Sequence, residues 1–577
     1  MTSAATDRPA PPGPAGEAGT VAQAMVAALR AHGVDRVFGV AGESYLALLD
    51  ALAGVPAVDV VTNRHEGSAG FAALADAKLT RRSGVLVVNR GPGATNAAIA
   101  LHSARQDGTP LLLIVGQVRR SEIGRSSFQE MEYQGTFADC AKQVWTVHDP
   151  GRVAEIVTRA LRVAEAGTPG PTVVVVPEDM FGEPVTAVTA GAVEPAAIGR
   201  AAVTDVRRAA AMLAEARRPL LIAGDRLGDD RGRRALARAA DQLGLPVVTS
   251  NKRQDLLAND HRTYAGQLTI ATQPDRRAAL AEADLVLAVG TRLDSTTTQT
   301  HTLPADHQRL VHVHPDARWL GHVHPPQLAL AADPAAFLED LCASVPDPRP
   351  GWPEWTRSLR ALEERAGTWH PVTSSDGVVF GAVAAAVDEL AAEDAVFTVD
   401  AGNFTSWVHR YLPMVGKRRM LGTSASAMGF GVPGALAAAL RHPGRQVYAF
   451  VGDGGFLMTG TELATAVHRR SRLIIVIADN NSYGTIRQHQ ERSYPGRVIA
   501  TDLVNPDFAA MAWAFGATGL SVRSPEEIEP ALQVALDCTG PVVIHVRTSL
   551  EWISAYQHLP GLGGPAAALP ADRRRQR

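Results

Sequence analysis

Runs of apolar, β-branched residues alternate with Ala- and Leu-rich segments along most of the chain. Such runs lie at 85–89, 110–116 and 171–177, and similar ones recur further along. Continuous apolar runs that alternate with helical patterns are typical of βα units on parallel sheets. After the first run, GPGATN at 91–96 predicts a loop, and the Ala-rich stretch that follows predicts a helix. The pattern predicts an α/β fold built from doubly wound parallel sheets.

Two stretches of small residues and proline divide this pattern into three blocks. They lie at 186–200 and, as PDPRPGWPEW, at 346–355. The ends of the chain are rich in Ala, Pro and Gly and are predicted to be disordered tails. The division therefore predicts three α/β domains of similar size between two tails. The predicted ranges are a tail over 1–17, domains over 18–185, 201–346 and 375–550, and a tail over 556–577.

Composition narrows the classes of function. The 577 residues carry 56 Lys and Arg against 59 Asp and Glu, a formal net charge of -3. This balance argues against a nucleic-acid partner and against a basic membrane-surface protein. No run approaches the roughly 18 apolar residues of a membrane span, and no signal peptide is recognised, so a cytoplasmic protein is expected. Only three cysteines occur, far apart, which argues against a disulfide framework and a thiolate zinc site.

Polar residues follow two apolar runs of the third block where the predicted strands end. Asp453 ends QVYAFVGD, and Asn480 follows 27 residues later at the end of LIIVIADNN. Each motif alone is more often an ordinary turn, but the carboxyl ends of parallel strands form sites, so the pair is expected to converge. Carboxylate, amide and carbonyl oxygens suit Mg²⁺, which would bridge to a phosphate. Glycines at 452, 454 and 455 would let the backbone approach that phosphate at a helix start.

Gly-Asp-Gly followed at this interval by an Asn-rich strand end resembles the diphosphate-binding motif of thiamine-diphosphate enzymes. The resemblance implies thiamine diphosphate and Mg²⁺ as cofactors. It also implies that the first domain binds the pyrimidine of the cofactor and the third domain binds its diphosphate. The residues implied to contact the cofactor are Gly402, Asn403, Ser426, Met428, Gly452, Gly454, Gly455 and Tyr483.

The metal ligands implied by the resemblance depend on the register of the second motif. The family usually has two Asn there, of which the second is the ligand. Alignment that keeps Tyr483-Gly484 in place makes Asn480 the side-chain ligand and Ser482 the backbone-carbonyl ligand, beside Asp453. The alternative register, with Asn480-Asn481 as the pair, would make Asn481 the ligand.

GFGVPG at 429–434 matches the GxGxxG pattern of dinucleotide sites. That fingerprint needs a strand immediately before it, and LGTSASAM is small, polar and a poor strand. In the resembling family this stretch carries the cofactor, with Met428 as the bulky apolar residue under the thiazolium ring. Ordinary core packing is the alternative for Met428.

Two residues of the first block are candidates for catalysis. Glu66 ends Asn-Arg-His-Glu after a strand-like run, where the residues alone suggest a helix-start carboxylate. The resemblance implies that it is the cofactor-activating glutamate, which hydrogen-bonds pyrimidine N1′ and favours the imino tautomer. The segments 90–99 and 126–133 further resemble acetolactate synthase and its relatives. They place Gln129 facing the cofactor, with a surface loop as the alternative.

Three departures limit the choice of substrate. Glu43 replaces a glycine of acetolactate synthases, at a place where pyruvate-decarboxylase-like enzymes have a catalytic acid. The His-His pair of those decarboxylases is missing at 109–125. His489 stands where acetolactate synthase has a Trp that shapes the acceptor pocket. Glu43 is therefore a candidate acid beside the thiazolium, and capping of the following helix is its alternative.

The middle block resembles the FAD-binding region of some relatives only in part. Gly290-Thr-Arg292-Leu-Asp294 matches part of that site, whereas the Gly-Met-His-Gly pattern expected near 266 is replaced. FAD is accordingly a candidate third cofactor.

The resemblance implies decarboxylation of a 2-keto acid and carboligation of the resulting enamine, as in acetolactate synthase. The alternatives are a simple decarboxylase that releases an aldehyde and a thiamine-diphosphate-binding paralogue without turnover. The resemblance also implies a homodimer or homotetramer, in which Glu66 of one chain and Asp453 of its partner serve one cofactor.

Overall fold

The structure, a computed structural model, describes residues 19–186, 196–270, 272–345 and 351–561. The predicted tail at 1–17, residues 562–577 of the second tail and most of the linker at 186–200 lie outside these ranges. The chain divides into two compact units after Ala196.

The first unit contains a six-stranded parallel sheet flanked by helices. The strands of this unit are β1 (Gly19–Thr20), β2 (Arg36–Gly39), β3 (Asp59–Thr62), β4 (Gly84–Val88), β5 (Leu111–Gln117), β6 (Gln143–Thr146), β7 (Pro171–Pro177) and β8 (Pro184–Val185), of which β2 to β7 form the sheet. Its helices are α1 (Val21–Ala31), α2 (Leu46–Ala53), α3 (Glu66–Thr80), α4 (Gly91–Asp107), α5 (Tyr133–Phe137) and α6 (Val153–Glu165). The sheet order is β3-β2-β4-β5-β7-β6, and β1 pairs with β8 in a separate antiparallel ribbon. Every residue of β4, β5 and β7 is buried, as expected for strands covered on both faces.

The loop predicted for GPGATN is wrong, because α4 begins at Gly91. A proline in the first turn of a helix is tolerated, since its missing N–H would have no partner inside the helix. A Cβ atom at Gly91 would lie 2.6 Å from the carbonyl oxygen of Gln129. The glycine therefore permits close packing rather than marking a loop.

The second unit contains two more six-stranded parallel sheets. The middle domain has strands β9 (Pro219–Ala223), β10 (Val247–Thr249), β11 (Tyr264–Gln267), β12 (Leu285–Val289), β13 (Arg309–Val313) and β14 (Leu328–Leu330). Its helices are α7 (Val203–Glu215), α8 (Asp230–Leu243), α9 (Pro274–Ala281), α10 (Pro334–Ser344) and α11 (Pro353–Gly367). The sheet order is β11-β10-β9-β12-β13-β14.

The third domain follows the same plan. Its strands are β15 (Val396–Val399), β16 (Arg419–Leu421), β17 (Val447–Gly452), β18 (Ile474–Asp479), β19 (Thr518–Val522) and β20 (Val542–Arg547). Its helices are α12 (Phe380–Leu390), α13 (Thr405–Tyr411), α14 (Gly431–Arg441), α15 (Asp453–Thr459), α16 (Leu463–His468), α17 (Gly484–Ser493), α18 (Phe508–Phe515) and α19 (Ile528–Asp537). The sheet order is β16-β15-β17-β18-β20-β19. Three parallel sheets flanked by helices confirm the predicted fold class.

The strand order of the third domain creates a crevice at one edge. The chain passes from β15 to β16 on one side and then to β17 on the other, so the order reverses between β15 and β17. Ligands of doubly wound folds bind at such a switch point, at the carboxyl ends of the strands. The segments after β15, β17 and β18 therefore lie together at the carboxyl ends of the strands.

Residues 556–558 differ from the predicted tail, because they pack against the third domain. The ring of His558 stacks on Trp552 with 4.3 Å between centroids. Arg410 lies over the ring of Tyr556 at 5.4 Å. These aromatic contacts hold residues 556–558 against the third domain.

None of the helices in the described ranges combines the length and hydropathy that a membrane-spanning helix needs. Cys140, Cys342 and Cys538 are all free thiols.

Candidate active site

A cavity of about 290 Å³ lies at the carboxyl ends of β15, β17 and β18. All of the third-domain residues that the sequence predicted for the cofactor and the metal line this cavity. They are Gly402, Asn403, Ser426, Met428, Gly452, Asp453, Gly454, Gly455, Asn480, Ser482 and Tyr483. These residues are far apart in the sequence, but they meet here because parallel strands end at the same edge of the sheet.

The glycines after β17 leave room for neighbouring side chains. A Cβ atom at Gly454 would lie 2.5 Å from a ring carbon of Tyr483 and 3.5 Å from the terminal carbon of Met428. The backbone N–H of Tyr483 is anchored on the carbonyl of Thr501 at 2.8 Å. Because α15 begins at Asp453, its first N–H groups lie at this cavity and can donate hydrogen bonds to an anion.

Asp453 is a buried carboxylate, 4% exposed. Its oxygens accept hydrogen bonds from the N–H of Gly454 at 2.9 Å and from Nδ2 of Asn505 at 2.8 Å. Burial, followed by the negative charge of the neighbouring Asp479, raises the pKa of Asp453 to about 7. A divalent cation would compensate both effects, so the carboxylate fits a metal site.

Asp479, which stands in place of the family's first Asn, is a carboxylate that lies beside two basic side chains. It accepts hydrogen bonds from His545 at 2.7 Å and from Arg547 at 2.6 Å. Burial opposes its ionisation, but these two side chains hold the pKa of Asp479 below its usual range. Asn505 also donates to it at 2.8 Å and so joins Asp479 to Asp453.

The two candidate asparagines differ in their surroundings. Asn480 lines the cavity, and its Oδ1 accepts the N–H of Ser482 at 3.1 Å. Asn481 has a left-handed φ of 53°, and its N–H donates to Asp479 at 3.0 Å. This arrangement favours the register in which Asn480 is the metal ligand. Within the described ranges, no group of three or more His, Cys, Asp or Glu side chains could hold a metal ion.

Asp400 is a buried carboxylate that the sequence analysis did not select. Both of its oxygens accept the N–H of Gly429, at 2.8 and 3.0 Å, and Oδ2 also accepts that of Gly431 at 3.4 Å. The carbonyl of Gly429 accepts the hydroxyl of Thr459 at 2.9 Å. Gly429, which follows Met428, is therefore held at both its N–H and its carbonyl oxygen. The signal was available, since Asp400 follows an apolar strand just as Asp453 does.

Glu66 lies at the first position of α3, in the first unit. The cap of this helix is the side chain of His65, which accepts the N–H of Gly67 at 3.0 Å. The Glu66 carboxylate instead accepts a hydrogen bond from Nδ2 of Asn96 at 2.9 Å. A Cβ atom at Gly93 would lie 3.2 Å from the other carboxylate oxygen. Glu66 is thus oriented by α4 and does not cap its own helix.

Glu43 begins the turn after β2, and its side chain is 61% exposed. Its carboxylate forms an ion pair with Arg90, whose other amino group lies 2.7 Å from Glu178. Its hydrogen-bond partner is therefore this guanidinium, not a backbone N–H at a helix start.

Gln129 has a left-handed φ of 63° and is half-buried. Its Oε1 is buried and has no hydrogen-bond partner within the part of the chain that the structure describes. A buried acceptor of this kind is suited to a ligand contact.

The residues that resemble an FAD site lie at the carboxyl edge of the middle sheet. Arg292 follows β12 and lies over the ring of Trp319 at 5.2 Å. On the neighbouring strand, His312 of β13 and His314 just after it are fully buried, and burial lowers both pKa values, that of His314 to about 3. Both rings are therefore neutral at physiological pH.

Three family models match the chain in the order of its three sheets. They are the thiamine pyrophosphate enzyme N-terminal TPP binding domain over 19–136, the central domain over 206–341 and the C-terminal TPP binding domain over 400–546. Thiamine pyrophosphate and thiamine diphosphate are two names for one cofactor.

Proteins from several bacteria are similar over most of this chain. The acetolactate synthase large subunit of Parasynechococcus marenigrum (strain WH8102) is 32% identical, over 91% of this chain and 87% of its own length. The thiamine pyrophosphate-containing protein YdaP of Bacillus subtilis (strain 168) is 32% identical, over 92% of each chain. The acetolactate synthase isozyme 2 large subunit of Escherichia coli (strain K12) is 31% identical, over 91% and 95%. The chain therefore belongs to the thiamine-pyrophosphate-dependent enzymes and is an enzyme of the acetolactate synthase type.

Proposed function

We propose that this enzyme decarboxylates a 2-keto acid with thiamine diphosphate and Mg²⁺, and joins the product to a second carbonyl compound. The supporting observation is the cavity of the third domain, where Asp453, Asn480 and Ser482 lie beside the glycine-rich start of α15. One carboxylate, one amide oxygen and one carbonyl are the hard donors that suit Mg²⁺. The helix start next to them can receive a diphosphate.

When bound, the cofactor would supply a nucleophilic C2 carbon and a means of stabilising the charge left by the loss of CO₂. The chain supplies the proton chemistry. Glu66 holds a proton at N1′ of the pyrimidine, and the hydrogen bond from Asn96 orients its carboxylate. Met428 gives the cavity an apolar wall.

Carboligation is favoured over simple aldehyde release by the ion pair of Glu43 with Arg90. Release of an aldehyde needs a proton donor for the decarboxylated carbon. Glu43 is the candidate donor, and its engagement in the ion pair with Arg90 competes with donation to that carbon. The decarboxylated carbon then stays unprotonated long enough to react with a second carbonyl compound.

The function is tested with the purified chain, thiamine diphosphate, Mg²⁺ and a panel of 2-keto acids, with CO₂ and products followed by mass spectrometry. CO₂ with a ligated hydroxy-keto product supports the proposal. CO₂ with aldehyde alone identifies a simple decarboxylase. No CO₂ from any acid identifies a paralogue without turnover.

Glu43→Gln should lower turnover by about 10²-fold, the lower range for loss of an acid–base group. The amide keeps the size of the side chain but cannot donate the acid proton. We expect C2-proton exchange to persist and the share of aldehyde among the products to change. Glu155→Gln is the matched control, because it removes another exposed Glu–Arg pair of the same unit. Wild-type turnover and product ratio in Glu43→Gln would remove this residue from the site.

The enzyme is proposed to assemble as a homodimer or homotetramer. Sedimentation at micromolar concentration should give a dimer or a larger species with no active monomer. A monomer with full activity would contradict this assembly.

FAD in the middle domain stays a prediction, which flavin absorbance of the purified protein tests.

A further inference from the structure

Asn505 belongs to a loop of the third domain that returns to the candidate metal ligands. The hydroxyl of Ser482 and the N–H of Tyr483 both donate to the carbonyl of Thr501, at 3.0 and 2.8 Å. Ser482 is the candidate carbonyl ligand, so the loop is joined to the metal-binding segment shortly before it reaches Asn505. The backbone of the loop is therefore held at the carboxyl edge of the sheet.

The side-chain amide of Asn505 donates to two carboxylates at once. Its Nδ2 lies 2.8 Å from Oδ2 of Asp453 and 2.8 Å from Oδ1 of Asp479. The NH₂ group must be the one that faces them, because an amide oxygen in its place would meet only acceptors. The Oδ1 atom of Asn505 is buried and has no hydrogen-bond partner among the residues that the structure describes. Replacement of the amide therefore removes the two carboxylate contacts without breaking a hydrogen bond to Oδ1.

Asp479 is itself held by residues other than Asn505. Its Oδ2 accepts hydrogen bonds from His545 at 2.7 Å and from Arg547 at 2.6 Å. Its Oδ1, the atom that binds Asn505, also accepts the N–H of Asn481 at 3.0 Å. Asp479 is thus an acceptor with a fixed position, and the amide bound to it is fixed in turn.

The orientation of the Asp453 carboxylate depends on this amide. The N–H of Gly454 donates to Oδ1 at 2.9 Å, and Asn505 donates to Oδ2 at 2.8 Å. One donor on each oxygen fixes the plane of the carboxylate, whereas a single donor would leave that plane free to turn. Mg²⁺ demands near-ideal octahedral geometry, whereas Ca²⁺ accepts flexible geometry. A fixed carboxylate therefore matters more for Mg²⁺ than for Ca²⁺.

We propose that Asn505 is a positioning residue of the metal site, because its amide holds the Asp453 carboxylate in one orientation and so favours Mg²⁺ over Ca²⁺. Asp479 is the anchor of that amide, which gives a role to the carboxylate that stands in place of the family's first Asn. The inference rests on the proposed function, since a metal ion beside Asp453 is part of it.

The test is the affinity of the purified enzyme for Mg²⁺ and, separately, for Ca²⁺ at saturating thiamine diphosphate, measured by isothermal titration calorimetry. In Asn505→Ala the affinity for Mg²⁺ should fall about tenfold, the lower range for loss of a partner that orients a metal ligand. The affinity for Ca²⁺ should stay within about threefold of wild type, because Ca²⁺ tolerates a carboxylate that can turn. The ratio of the two affinities should therefore fall, whereas a general loosening of the site would lower both affinities by the same factor.

Val504→Ala is the matched control, because it shortens the neighbouring side chain of the same loop, which is 87% exposed. It should keep the wild-type ratio. Asn505→Ser is the second variant, should Asn505→Ala fail to fold, and its ratio should also fall because a hydroxyl has one hydrogen and cannot donate to both carboxylates. An equal loss for both metals, an unchanged ratio in either variant of Asn505, or the same change in Val504→Ala would overturn the inference. Failure of the wild type to bind Mg²⁺ with thiamine diphosphate would overturn the proposed function, and the inference with it.

Discussion

Glu66→Gln should abolish exchange of the C2 proton of bound thiamine diphosphate while leaving the affinity for the cofactor nearly unchanged. The amide has the size of the carboxylate, but it carries no charge to stabilise a proton on N1′. Loss of a general acid–base group slows a reaction by about 10²–10⁴-fold. The exchange of C2 hydrogen for deuterium, followed by NMR after acid quenching, measures this step directly.

Asn96→Ala separates the charge of Glu66 from its orientation. This variant keeps the carboxylate and removes the 2.9 Å hydrogen bond that orients it. We expect exchange to slow less than in Glu66→Gln, with cofactor affinity again retained. Exchange at the wild-type rate in Glu66→Gln would exclude Glu66 from cofactor activation.

The predictable part of the site follows from one property of parallel sheets. Asp453 and Asn480 each follow a buried apolar strand, and neighbouring parallel strands end at the same edge. The sequence therefore indicates which side chains meet, although it does not indicate their distances. Asp400 obeys the same rule at the end of β15, so its place in the site could have been found in the same way.

The remaining residues of the site have no such local signal. Asn505 lies in a loop, 52 residues after Asp453, and meets it only because that loop returns to the carboxyl edge. The glycines of GPGATN gave the wrong element because they permit close packing, Gly91 against Gln129 and Gly93 against Glu66. Tertiary contacts of this kind override local propensity.

The last expected result concerns the metal. Asp453→Ala should weaken the affinity for thiamine diphosphate in the presence of Mg²⁺ by more than about 100-fold, since even outer partners of metal ligands contribute 10–100-fold. The cause would be loss of the Mg²⁺ ion that Asp453 would hold next to the diphosphate. Titration of thiamine diphosphate, with Mg²⁺ and with chelator, measures the effect. If the wild type bound thiamine diphosphate as tightly in chelator as in Mg²⁺, the idea of a bridging metal would be contradicted.

Asn480→Ala and Asn481→Ala form a matched pair that tests the register. Both remove the same amide from adjacent positions, but Asn480 lines the cavity whereas the N–H of Asn481 is bound to Asp479. We expect Asn480→Ala to lose Mg²⁺-dependent affinity nearly as severely as Asp453→Ala, and Asn481→Ala to lose far less. A ligand that binds only the folded state raises the Tm, so Mg²⁺ with thiamine diphosphate should stabilise the wild type and Asn481→Ala but not Asn480→Ala. The opposite order of the two variants would move the ligand to Asn481, and the Tm of each variant without cofactor shows whether the loss is one of binding or of folding.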